Sequence, residues 1–380
     1  MDDSRVNNGQ SQEIRSVNRK AFISHGLIAK ISVLLIGAIG TMSETKSIGQ
    51  EVENLVKRET FKGQTLNVFN WSDYIEPELI KEYEKRSGAT IQYDNYSTEG
   101  ELETKLITSD VNYDVVFPSD KSMTPLVKKQ LLSPIDKTLL TNLKYIDKKF
   151  LNPKFDKDNT FSVPYFWGTA AIGIRSDKVK EDVQGFEILF NKNYKGKITM
   201  LDDPENVVAV SMLHLGKKMN SISNEDLLSC EKLLLEQKEL VQSYTSDSYK
   251  EKLIRGEAWI ALGWSGDLLQ ASKENKNIKV VVPKSGTMIW VDSIAISKGS
   301  KNKALAHDFI NFLLDPVIAA RNAEFVQYAT PNQKALVYIQ KETLDNQSIY
   351  PIKELLDKCE WLSDKGANIR KVEDLWERIK

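Results

Sequence analysis

Tryptophan and aspartate recur together along this chain. Asn70-Trp71-Ser72-Asp73-Tyr74, Gly263-Trp264-Ser265-Gly266-Asp267 and Trp290-Val291-Asp292-Ser293 each set an indole within three residues of a carboxylate. The ring quadrupole attracts a cation and the carboxylate accepts its N–H bonds, so the pairing is a natural receptor for an organic ammonium ion. One such pair carries little meaning. Repeated along a chain of 380 residues, it points to a pocket for a ligand with several positive charges on an apolar stem. Each charged nitrogen then needs a carboxylate or several oxygen acceptors, because burying an unpartnered ammonium is prohibitive. The methylenes between them need flat apolar walls, which indoles supply.

The elements that would hold these residues alternate. Leu66 to Phe69 reads as a short strand, Glu78 to Ser87 as a helix opened by Pro77 and closed by Gly88, and Thr90 to Tyr93 as a second strand. Glu99 to Ile107 is a second helix and Tyr113 to Phe117 a third strand. The order β-α-β-α-β predicts a parallel sheet covered by helices, whose ligands sit beyond the carboxyl ends of the strands. Trp71 and Ser119 fall at those ends. The second half repeats the logic, with strands over Lys197–Leu201, Ala258–Gly263, Ile278–Val282 and Ile289–Ile296. Its helices run over Val207–Lys218, Asn224–Gln237 and Lys303–Leu314, the last stopped near Pro316. Two α/β lobes with a cleft between them is the economical reading.

Composition narrows the function. With 41% hydrophobic and 28% charged residues the chain is long enough for two cored domains. A net charge of -1 gives no field to recruit nucleic acid. Three histidines and two cysteines, Cys230 and Cys359 among no close motif, do not suggest a metal or thiol enzyme. At the N-terminus Arg15, Arg19, Lys20 and Lys30 precede the apolar run Ile31–Met42. That run is shorter than the roughly 20 residues a membrane span needs and matches the core of a secretory signal. Residues 1–43 are therefore expected to be a signal peptide or membrane anchor, and 44–62 a linker.

At this point the chain resembles the spermidine/putrescine-binding proteins of ABC importers, the polyamine branch of the periplasmic solute-binding proteins. The likeness spans about Leu66 to Lys380. It is carried by the three Trp-Asp segments together with Asp114-Val115-Val116-Phe117-Pro118-Ser119 and Val163-Pro164-Tyr165-Phe166-Trp167-Gly168. Asn311-Phe312-Leu313-Leu314-Asp315-Pro316 and Tyr328-Ala329-Thr330-Pro331-Asn332 complete it, all in family order. The resemblance implies a type II periplasmic-binding-protein fold. Each lobe would be a mixed, mostly parallel sheet flanked by helices: 63–168 with 291–336, and 169–290 with 337–380. It implies a monomer at the extracytoplasmic face, with no enzymatic turnover and no cofactor, handing its ligand to a membrane permease.

The site residues that it implies are Trp71, Ser72, Asp73 and Tyr74 at one end of the ligand, with Ser119 in the cleft. Asp203 matches a carboxylate of spermidine-type members, and Trp264 and Asp267 match an aromatic wall and acid of putrescine-type members. Trp290 and Asp292 match the opposing wall and the central acid, and Tyr328 a further aromatic contact. The chain departs from the family at Asn206, where relatives place a glutamate, at Lys121, where many have an aromatic, and at Leu362, where spermidine-type members have glutamine. Lys121 and Asn206 keep another cationic or metal-containing solute in play; a surface receptor that has kept the scaffold is a separate alternative, against which the intact set of cleft acids argues. Plainer roles stand beside the sharp ones: Asp203 as a helix cap, Trp259, Trp361 and Trp376 as core, Trp167 as core or hinge. Gly263-Trp264-Ser265-Gly266 has its second glycine one position too early for a hydrolase nucleophile elbow.

Overall fold

The computed structural model of the chain describes residues 60–108 and 112–380. The expected export segment over 1–43 and the linker up to residue 59 lie outside them. Among the described residues one continuous sheet has 11 strands. They are β1 (Thr65–Trp71), β2 (Thr90–Tyr96), β3 (Val115–Val116), β4 (Leu132–Ser133), β5 (Ser162–Arg175), β6 (Ile198–Met200), β7 (Val241–Tyr244), β8 (Ile260–Trp264), β9 (Ile278–Val281), β10 (Met288–Ser297) and β11 (Glu360–Trp361). The longer helices are α1 (Pro77–Ser87), α2 (Glu99–Thr108), α3 (Asp120–Lys128), α4 (Pro204–His214), α5 (Asn224–Lys238), α6 (Tyr249–Arg255), α7 (Ser265–Glu274), α8 (Lys303–Leu313), α9 (Pro316–Val326) and α10 (Ile369–Ile379).

Local chemistry explains the first unit. Pro77 has no N–H to lose at the first turn of α1, while Leu79 and Tyr83 turn one face of that helix into the core. Gly88 ends it in the left-handed region at φ 76°, its N–H donating to the Glu84 carbonyl. The chain returns as β2, parallel to β1, and β3 pairs parallel on the other side of β1. In the second half β6 pairs parallel with β7 and β8. Helices cover both parallel groups, as the alternating pattern requires.

The two groups are joined through β5 and β10, which run antiparallel to each other. Strand β5 pairs with β10 from Ser162 to Thr169 and with β8 from Ala170 to Ile174. Its first part belongs to a core built round Val68, Leu79, Phe309 and Ile310, and its second part to a core round Ile172, Ile198 and Leu262. Strand β10 makes the reverse crossing, with Met288 in the second core and Val291 in the first. Ile339 and Ile349 pack in the first core, and Val372 to Ile379 in the second. A small cluster of Phe69, Tyr96 and Met123 lies beside the first core.

Three details differ from expectation. The helix over 303–313 stops before Pro316, but that proline opens α9, whose cap is the Asp315 carboxylate accepting from Val317 N at 3.0 Å. Proline at the first turn starts helices as readily as it ends them. Trp361, expected in the core, is 43% exposed on the short edge strand β11. The fourteen-residue β5 is buried along its whole length. A strand covered on both faces shows no alternation, so its period was hidden in the sequence. Trp376 is buried and Trp259 half-buried in the second core, while Trp167 packs in the first. Cys230 and Cys359 are both free thiols. Among the described residues no helix is long and apolar enough to cross a membrane.

Candidate ligand-binding site

A cavity of about 780 Å³ opens where β5 and β10 cross between the cores. Every side chain proposed from the sequence lines it: Trp71, Ser72, Asp73 and Tyr74 from the end of β1, Ser119 before α3, and Asp203 before α4. Trp264 and Asp267 enter from the β8–α7 junction, Trp290 and Asp292 from β10, and Tyr328 from the turn after α9. The three departures, Lys121, Asn206 and Leu362, line it too.

The acid end is built on β10. Pairing with β5 slips between Asp292 and Ser293, leaving Tyr165 as the extra residue of a bulge. Bulges bend a strand and re-aim the side chains beside them. Asp292 is 8% exposed, and its Oδ2 accepts from the Tyr74 hydroxyl at 2.6 Å. Burial pushes the Asp292 carboxyl well above the usual range; the Tyr74 bond opposes this, Glu99 and Asp120 add to it, and Lys121 opposes it. Asp120 is pushed up to about 7, chiefly by burial and against the pull of the Lys121 charge. Burial raises Glu99 as well. Neither Glu99 nor Asp120 is among the site residues expected from the sequence. An acid in the first turn of a helix reads as a dipole partner, and both residues open helices, α2 and α3. Only the fold shows that these two helix starts converge on Asp292.

The second acid is held from both sides. Asp267 Oδ2 accepts from Tyr249 at 2.6 Å and Oδ1 from Tyr328 at 2.7 Å. The glycines of the Gly-Trp-Ser-Gly-Asp segment make room for those two rings. A Cβ on Gly263 would lie 2.4 Å from Tyr249, and one on Gly266 would lie 2.5 Å from Tyr328. The motif thus encodes close approach of tyrosine to backbone rather than a nucleophile. Ser265 within it is buried.

Aromatic rings wall the space between the acids. Trp264 meets Trp290 edge to face at 6.0 Å, and Trp290 meets Tyr328 at 5.0 Å. Trp71 leans on Tyr96 with centroids 4.3 Å apart, and its indole N–H donates to the Phe117 carbonyl. One buried polar atom on a residue that lines this space, Trp290 Nε1, has no partner among the described residues. Such atoms are rare in folded proteins and mark places where a partner belongs.

Two lysines of the chain span the cavity. Lys250 on α6 donates to Asp73 Oδ2 at 2.8 Å and to Gln270 at 3.1 Å. Asp73 itself sits in the left-handed region at φ 54°, an uncommon conformation for a side chain-bearing residue. Lys121 on α3 pairs with Asp203 Oδ2, while Asp203 Oδ1 accepts from Asn206 N at 3.0 Å and caps α4. Asp203 is therefore a helix cap and an ion-pair partner at once.

Residues 78–344 match the model of the bacterial extracellular solute-binding protein family, and the chain belongs to that family. The chain is 32% identical over 318 residues to the spermidine/putrescine-binding periplasmic protein of Escherichia coli strain K12, covering 83% of this chain and 91% of the relative. It is also 32% identical, over 338 residues, to the putrescine-binding periplasmic protein PotF of the same organism, with the same coverage of each chain. A solved structure of the spermidine/putrescine ABC transporter substrate-binding protein PotD from Streptococcus pneumoniae superposes with a TM-score of 0.75 at 30% identity, over 83% of this chain and 98% of that one. The fold is the two-lobed α/β periplasmic-binding-protein fold, and the resemblance read from the motifs holds.

Proposed function

We propose that this chain captures a polyamine, putrescine or spermidine, in the cavity between its lobes and delivers it to a membrane ABC permease. It acts as a monomer, by binding and release without turnover. The observation that carries this reading is the convergence of Trp71, Trp264, Trp290 and Tyr328 with Asp292, Glu99, Asp120 and Asp267 on one cavity. An ammonium over an indole gains roughly 0.5–2 kcal/mol, against the roughly 8 kcal/mol that micromolar affinity requires. Several contacts must therefore form together, which closure of two lobes about a hinge achieves. The proposed lobes are 63–168 with 291–336 and 169–290 with 337–380, a division that the two cores support in outline. Ile339 and Ile349 pack in the first core, which favours a last crossing later than residue 336.

Mass spectrometry of gently purified protein tests the reading directly, and titration calorimetry with putrescine and spermidine tests it quantitatively. Heat of binding at micromolar concentration is expected. Silence toward both amines, with heat from another organic cation, would transfer the site to that solute.

A further inference from the structure

The wall of the cavity formed by the start of α4 carries no unpaired negative charge. Lys121 holds one oxygen of Asp203 and the Asn206 backbone N–H holds the other. The neighbouring Glu205 is paired with Lys365 at 3.3 Å, and the Lys365 side chain is only 4% exposed. Asn206 is buried, and its Nδ2, a donor, has no partner among the described residues. Leu362 lines the same cavity with a side chain that offers no hydrogen bond at all. The opposite situation holds round Asp292, Glu99 and Asp120, whose carboxyls sit together with Lys121 as the cation beside them. Burial disfavours the Lys121 charge, yet Asp203 first, then Glu99 and Glu205, hold its ammonium more firmly protonated than an ordinary lysine.

We infer that Lys121 is a specificity residue that supplies a fixed internal ammonium to Asp203, so that the cavity takes a diamine and turns away a triamine. This rests on the polyamine reading and deepens it. A diamine places its two nitrogens at the Asp292 and Asp267 ends, with its methylenes between the indoles. The additional nitrogen of a triamine would meet the Lys121 charge in a partly buried space, where like charges are weakly screened.

Titration calorimetry on the full chain with putrescine, cadaverine and spermidine tests this, using wild type, Lys121→Met, and the double variant Lys121→Met with Asp203→Asn. Wild type is expected to prefer the diamines over spermidine by about tenfold or more, a difference of about 1.4 kcal/mol. Lys121→Met frees the Asp203 carboxylate and is expected to narrow that preference by about tenfold through tighter spermidine binding. Adding Asp203→Asn is expected to remove the gain. Lys121→Gln serves in place of the methionine variant if a melting curve shows the latter unfolded. Equal affinity for diamine and triamine in wild type, or a ratio unmoved by loss of the Lys121 charge in a folded variant, overturns the role of Lys121 while leaving polyamine binding standing. Absence of heat with every amine in every variant overturns the polyamine reading and this one with it.

Discussion

Asp292 and Asp267 are both carboxylates facing one cavity, yet their surroundings assign them different work. Asp267 has a tyrosine hydroxyl on each oxygen and is fixed in direction. Asp292 has one, from Tyr74, and shares its burial with Glu99 and Asp120. An ammonium arriving there meets several acids at once, so Asp292 should dominate. Asp292→Asn is expected to weaken amine binding by about tenfold or more, because a buried ammonium loses its counter-charge. Titration calorimetry reads the loss, and unchanged affinity would remove Asp292 from the site. The Trp-Asp spacing was legible in the sequence because it is local. The Tyr249 and Tyr328 clamps were not, since each reaches Asp267 from a distant element.

At the scale of the element, the start of α4 shows how one carboxylate can serve the helix and the cavity together. The Asp203 side chain caps the Asn206 N–H while facing Lys121 across the cleft. Asparagine caps a helix about as well as aspartate, and alanine does not, at a cost of about 0.5–2 kcal/mol. Asp203→Ala should therefore be less stable than Asp203→Asn by about 1 kcal/mol in chemical denaturation, while both lose the Lys121 ion pair. Equal stability of the two variants would show that the cap carries no weight. The cap position could be read from Asp203-Pro204 in the sequence. The ion pair could not, because Lys121 lies 82 residues away on α3 and its partner is chosen by the approach of α3 to α4.

For the molecule as a whole, the acid cluster makes binding a proton-linked event. Asp120 is pushed up to about 7, and burial holds Asp292 and Glu99 above the usual carboxylate range. A bound ammonium favours the ionised acids, so binding releases protons. Affinity should rise as pH increases through about 7, and the calorimetric heat at neutral pH should differ between buffers of different ionisation enthalpy. A heat independent of buffer would show that the cluster is already fully ionised. The same shift has the opposite sign for folding in the absence of amine. A carboxyl raised in the folded state stabilises it fully below the unfolded value of about 3.9, and that contribution is lost as pH rises through about 7. Melting temperature measured from acid to neutral pH, with and without putrescine, would separate the two effects.

By itself the sequence determined the alternation of strand and helix, the helix starts at Pro77 and Asp203, and the Trp-Asp pairs, because each depends on residues within a turn or two of one another. It also placed two of those pairs, at Trp71 and Trp264, at strand ends, where a two-lobed sheet protein holds its ligand. Only the tertiary structure decided that β5 would run buried through both cores. Only it decided that Glu99 and Asp120 would join Asp292, and that Lys121 and Lys250 would reach across to Asp203 and Asp73. Those outcomes depend on how separate elements approach one another. No local propensity encodes that distance, and it is the distance that sets which charges are paired and which are left for a ligand.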